Sequence, residues 1–265
     1  MEIFEYDFMQ RAFIAGIIVA VIASVGGSFV VLKRYSLIAE TLAHSALVGV
    51  AIGLVAGVSP IAVAVGLALI SAWSIEYLRS YFNIYSDSIL AIFLSGSLAL
   101  AILIVSLAGA FNTSLFSYLF GSILSVSNEE LWVMGSTGAV ALLLLLGFYK
   151  EFYFIAFDEE VAQVSGLKVV FFNFLLITIV AVIIALSIRV VGTLLIGALM
   201  VIPTVSALQY QKGFAATIWL ALCFSLVAVI SGMFLSYYLA LPSGAIIVMC
   251  ILVIFIISLL LNRTS

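Results

Sequence analysis

Glu40 and His44 stand four residues apart, and His44 is the only histidine in 265 residues. On a helix that spacing stacks a carboxylate and an imidazole on one face, one turn apart. Both lie inside a long apolar run, where ionisable groups mark sites and pathways. Carboxylate oxygen with imidazole nitrogen suits zinc, manganese or ferrous iron, and with no thiolate nearby a soft cuprous site is disfavoured. Two ligands are too few to hold an ion tightly, but two copies of the chain across a symmetry axis would supply four. The competing reading is a Glu–His hydrogen bond that locks helix packing. Cys223 and Cys250 both fall in apolar runs, with no CxxC pair and no second histidine, so neither a disulfide nor a structural zinc site is expected.

The elements that must carry this pair are membrane spans. The chain is 66% hydrophobic and 8% charged, with a mean hydropathy of +1.43. Apolar runs of about 20 residues recur along it. They are apolar all round rather than alternating, and backbone groups in lipid must be satisfied within the segment, so they read as helices. The expected fold is all-α, a single transmembrane domain over residues 1–265. About nine spans are predicted: Ala12–Leu32, Ser36–Ala56, Pro60–Leu78, Ser88–Leu107, Leu131–Tyr149, Val169–Ile188, Val191–Tyr210, Phe214–Tyr237 and Ser243–Leu261. The acidic N-terminus lacks the basic start of a secretory signal, so the first span is expected to be retained. His44 lies ten residues beyond Arg34, about 15 Å on a continuous helix, which predicts a site near the bilayer midplane. Ser45, Gly49, Gly53 and Gly57 repeat every four residues on the same span, a small-residue stripe for close helix packing.

Basic residues set the orientation. With the N-terminus outside and the C-terminus inside, Lys33, Arg34, Arg79, Lys150, Lys168, Lys212 and Arg263 are cytoplasmic, and only Arg11 and Arg189 are outside. On the outer side, Asn112–Asn128 reads either as a re-entrant helix or as an aromatic belt at the headgroups. On the inner side, Asp158 reads as an N-cap with Glu159 and Glu160 in the first turn, and Gly166 as a left-handed stop. This short helix, about 158–166, exposes Val161 and Val164, either to a docking partner or to its own membrane domain. No basic cluster suggests nucleic acid. No GxxxxGK[ST] loop, HExxH motif or paired intramembrane aspartates suggest an enzyme.

Several stretches resemble the integral-membrane permease of zinc/manganese ABC importers: Tyr35–Gly49 (YSLIAETLAHSALVG), Phe157–Leu167 (FDEEVAQVSGL), Val191–Ala207 (VGTLLIGALMVIPTVSA), Leu119–Leu124 (LFGSIL) and Leu241–Gly244 (LPSG). The resemblance implies a cobalamin-importer-like fold in a prokaryotic cytoplasmic membrane. It implies two permease chains working with two ATP-binding subunits and an extracellular or periplasmic metal-binding protein. The transported ion would be zinc, manganese or iron, no cofactor would be bound permanently, and ATP would be used by the partner subunit. Glu40 and His44 match the family's Asp and His ligands, and Asp158–Gly166 matches its ATPase-coupling helix. Where the family pattern has aspartate this chain has Glu40, and where it has proline this chain has Val48 and Glu159. Alternating access would close an outer barrier near Leu115–Leu124 as an inner one near Tyr81–Asp87 opens, or the reverse. The alternative is an ion-gradient-driven carrier in which Glu40 and His44 relay protons without an ATPase.

Overall fold

A computed structural model describes residues 7–82, 84–107, 118–121, 126–239 and 241–262. Its helices are α1 (Asp7–Leu32), α2 (Ile38–Ala56), α3 (Pro60–Tyr81), α4 (Ser86–Leu107), α5 (Asn128–Gly147), α6 (Tyr149–Phe157), α7 (Glu159–Val164), α8 (Val169–Val191), α9 (Thr193–Leu208), α10 (Phe214–Leu239) and α11 (Ser243–Asn262). Among the described residues, eight helices are long and apolar enough to cross a membrane: α1 to α5, α8, α10 and α11. The remaining expected span, Val191–Tyr210, is realised as α9. It has only 16 residues, about 24 Å of rise against roughly 30 Å of hydrocarbon. Gly192, at φ 86°, breaks the chain directly between α8 and α9, which shortens the run that hydropathy alone would extend. The re-entrant reading of Asn112–Asn128, like the outer barrier at Leu115–Leu124, falls mostly outside the described residues. Within it, residues 118–120 form a helical turn.

α1 and α2 are the two most enclosed spans. α2 packs on α3, α4, α8 and α9, and α1 on α5, α8, α9 and α10. The α2–α3 contact is backbone against backbone. A Cβ added at Gly49 would lie 2.6 Å from the Ala64 Cα, and one at Gly53 would lie 2.6 Å from the Pro60 Cα. Close approach of this kind needs glycine, and it fixes α2 and α3 to each other. Gly57, the fourth member of the stripe, does not pack: a Cβ there would meet nothing within 4 Å. At φ 68° it caps α2 in the left-handed conformation, its N–H reaching back to the Gly53 carbonyl. Spacing by four is common to a packing glycine and a terminal one, and the backbone conformation separates them.

The ends of α1 and α3, the starts of α2, α4 and α8, and helices α6 and α7 gather at one end of the bundle, called here the basic end after Lys33, Arg34 and Arg79. α6 is absent from the sequence reading, which runs the preceding span to Tyr149. The chain breaks at Phe148 (φ −101°, ψ 27°), and α6 docks into an aromatic cluster. Phe29, fully buried, meets Tyr149, Phe152 and Phe214 at ring-centroid distances of 6.0, 5.8 and 5.3 Å. Aromatic edges in such arrangements add to plain burial.

Candidate metal centre

Three directions around α2 are used differently. Towards α4, the Thr41 hydroxyl reaches the Leu90 carbonyl at 3.3 Å, and the Ser45 and Ser97 hydroxyls lie 2.9 Å apart. Towards α3, Gly49 and Gly53 make the backbone contact. Ser45 therefore serves a different neighbour from the two glycines. Glu40 faces α9, where a Cβ added at Gly197 would lie 3.7 Å from the Glu40 Cβ. Gly197 bounds the site, a role that no local pattern in the sequence announces. His44 is buried, at 7% exposure, while Glu40 is exposed.

The His44 Nδ1 atom is buried without a hydrogen-bond partner. A buried, unpartnered imidazole nitrogen is costly unless something outside the chain satisfies it. An exposed carboxylate one turn away on a membrane helix carries the same message. The packing lock that a Glu–His hydrogen bond would supply is not made through Nδ1. Among the described residues, no group of three or more His, Cys, Asp or Glu side chains could hold a metal. One chain thus offers one oxygen ligand group and one nitrogen ligand. The pair also lies shallower than a continuous-helix count suggests. Residues 33–37 form a turn, with Arg34 at φ 59°, so only the six steps from Ile38 add full helical rise. That puts His44 about 9 Å into a helix about 28 Å long, in the half nearer the basic end.

The second candidate region is α7. The Asp158 side chain caps it, its Oδ1 accepting from the Val161 N–H at 3.0 Å. Gly166, at φ 88°, follows its end. Ala162 is fully buried against Ile155 of α6 and Val169 of α8. Val161 and Val164 point outward at 49% and 89% exposure, and Glu160 is exposed beside them. Glu159 turns the other way. Its carboxylate receives both Arg79 guanidinium nitrogens, at 3.0 and 2.9 Å, and the Asn173 amide at 2.8 Å. Arg79 also donates to the fully buried Glu76, one turn back on α3, at 2.7 Å, and Lys33 donates to the Asn173 Oδ1. Burial pushes the Glu159 carboxyl up, but the hydrogen bonds from Arg79 and the nearby Lys33 outweigh it and hold the group below its ordinary 4.5. A depressed carboxyl pKa stabilises the fold above the unfolded value and loses that contribution as pH falls through the folded one. The Arg79–Glu159 pair therefore holds at neutral and mildly acidic pH. Burial draws Lys33 down to about 8, against the pull of Glu76.

The ABC 3 transport family matches residues 5–262 of the chain. The manganese import system permease protein ScaB of Streptococcus gordonii is 32% identical over 254 residues, covering 96% of this chain and 91% of that protein. The high-affinity zinc uptake system membrane protein ZnuB of Haemophilus influenzae is 30% identical over 254 residues, covering 96% and 97%. Among solved structures, PsaBC from Streptococcus pneumoniae in complex with Fab superposes with a TM-score of 0.86 at 31% identity, over 97% of this chain and 92% of that one.

Proposed function

The chain belongs to the ABC 3 transport family, and from that membership we propose that Glu40 and His44 form the station through which its metal ion passes. The protein is a multi-pass permease of the bacterial inner membrane, of the manganese- and zinc-importing ABC type. Manganese or zinc is the cargo, on the chemistry of an oxygen and a nitrogen donor and on the likeness to a manganese permease and a zinc permease; iron draws no support from these relatives. The observation that carries the site is the unpartnered His44 Nδ1 beside the exposed Glu40 carboxylate. A second copy of the chain supplies the other two ligands, so that four donors hold the ion loosely enough to release it. The basic end faces the cytoplasm, with the N-terminus outside and the C-terminus inside. ATP is bound and hydrolysed by two partner subunits, and a separate metal-binding protein delivers the ion from outside.

The experiment is uptake in a strain stripped of its own manganese and zinc importers. Cells expressing this chain with its ATPase accumulate radioactive Mn2+ or Zn2+, and inactivating the ATPase stops accumulation. Accumulation driven by a proton gradient alone, with the ATPase inactive, overturns the reading in favour of the gradient-driven carrier.

α7 is the surface on which an ATPase subunit docks. Val161 and Val164 form an apolar knob on an otherwise anchored helix, and Phe157 adds to it at 76% exposure. Val164→Asp places a carboxylate on that knob without touching the bundle. Burying it unpaired in an interface costs several kcal/mol. Co-purification of the ATPase is expected to fall at least roughly tenfold, while the permease itself melts as the parent does.

A further inference from the structure

We propose that the Arg79–Glu159 ion pair is a tether that passes movement of α7 into the α2–α3 pair, and so to Glu40 and His44. The inference deepens the docking role given to α7 and rests on it. Ala162 pins α7 to α6 and α8 through Ile155 and Val169, which secures the helix and reaches α3 only through the packing of α8 on it. The direct hold on α3 is the Arg79 guanidinium, forked between Glu159 of α7 and Glu76 of its own helix. A fork-to-carboxylate pair fixes direction as well as distance, because both nitrogens must stay in the carboxylate plane. Glu76 is fully buried and Asn173 nearly so, so the guanidinium is set among partners that leave it little freedom. From Arg79 the connection continues along α3 as a rigid rod to its start. There Pro60 and Ala64 touch Gly53 and Gly49 of α2 backbone to backbone. A displacement of α7 towards or away from the bundle therefore drags the α2–α3 pair with it. Close-packed interfaces of this kind move as units.

Acidic residues in a first helical turn usually complement the helix dipole and face solvent. Here only Glu160 does so. Glu159 stands where the importer pattern has proline, so the tether belongs to this chain's own side chains.

That proline also supplies a clean variant. Glu159 is the first residue of α7, a position that welcomes proline. Asp158 before it is already extended at φ −152° and ψ 102°, as a residue preceding proline should be. Glu159→Pro removes the carboxylate and keeps the helix. In the permease–ATPase complex reconstituted in vesicles, the ATPase is expected to stay bound to this variant and to hydrolyse ATP. Metal moved per ATP hydrolysed is expected to fall at least threefold. Glu159→Gln, which still accepts from Arg79, is expected to fall in between. Arg79 is kept in every variant, because its guanidinium also neutralises the buried Glu76. A transport-to-hydrolysis ratio within 1.5-fold of the parent for Glu159→Pro overturns the tether. Val164→Asp in the same preparation separates the two ideas. Loss of ATPase binding there with a normal ratio in Glu159→Pro refutes the tether alone, while ATPase binding unaffected by Val164→Asp refutes the docking role on which it rests.

Discussion

His44→Ala is expected to reduce metal uptake to background, a loss of at least about 100-fold, with assembly of the chain and its ATPase unchanged. The size follows from symmetry. If the ion is held between two copies, one substitution removes two of four ligands. Losing even an outer partner of a ligand costs about 10–100-fold in metal affinity or activity. The fold is expected to survive because the Nδ1 atom makes no hydrogen bond that alanine would forfeit. Only ring burial on a helix held by α3 and α4 is lost. Glu40→Gln keeps the shape and removes the charge, and is expected to fail almost as completely. Glu40→Asp withdraws the carboxylate by one methylene towards the family's pattern. It is expected to retain uptake while changing the ratio of manganese to zinc carried when both are offered. Uptake counted with both isotopes in the importer-deficient strain checks all three. Normal uptake by His44→Ala would leave the pair a structural one.

What the sequence makes legible here is what depends on near neighbours. A lone histidine four residues from a glutamate within an apolar run needs no tertiary knowledge to be singled out. Asp158 and Gly166 announce the bounds of α7 by local capping chemistry, and hydropathy delimits eight of the spans. The features it conceals are made across the bundle. Gly197 bounds Glu40 from α9, some 157 positions later. The destination of Glu159 lies 80 residues earlier, at Arg79, whereas the local rule for a first-turn acid points it to solvent. α6 exists because Phe29 and Phe214, far apart in sequence, offer it an aromatic seat. Gly57 sits in register with a packing stripe and is a helix cap, since spacing carries no information about φ. The depth of His44 is overestimated for a related reason: residues 33–37 count as helix in an apolar run and are a turn in the chain.

The same distinction gives the largest expected loss of stability, at Gly192. With φ 86° and ψ 162° it occupies a backbone region open to essentially no other residue, which by itself costs a substituted chain about 1–3 kcal/mol. Space is equally closed. A Cβ there would lie 2.5 Å from the Gly121 N and the Leu119 carbonyl oxygen. A Cβ at Gly121 would meet the Val191 carbonyl carbon at 2.5 Å, and one at Gly244 the Phe120 oxygen at 2.7 Å. Three glycines from the LFGSIL, VGTLL and LPSG stretches thus close around one short piece of backbone, at the end of the bundle away from Arg79. Backbone atoms on every side cannot swing away as a side chain tip can, so strain and overlap add. Gly192→Ala is expected to lower stability by more than about 3 kcal/mol, seen as a large drop in Tm in detergent and poor recovery of folded protein. Gly244→Ala should be milder, because its other close neighbours are the mobile methyl groups of Leu195 and its φ is not positive. Under the orientation proposed here this junction faces the side from which metal arrives. Gly244→Ala, expected to keep most of its Tm, therefore tests whether the junction must also move. Uptake slowed at saturating metal is expected if the backbone contact breaks and re-forms in each cycle. Uptake at the parental rate would make the junction a fixed clasp.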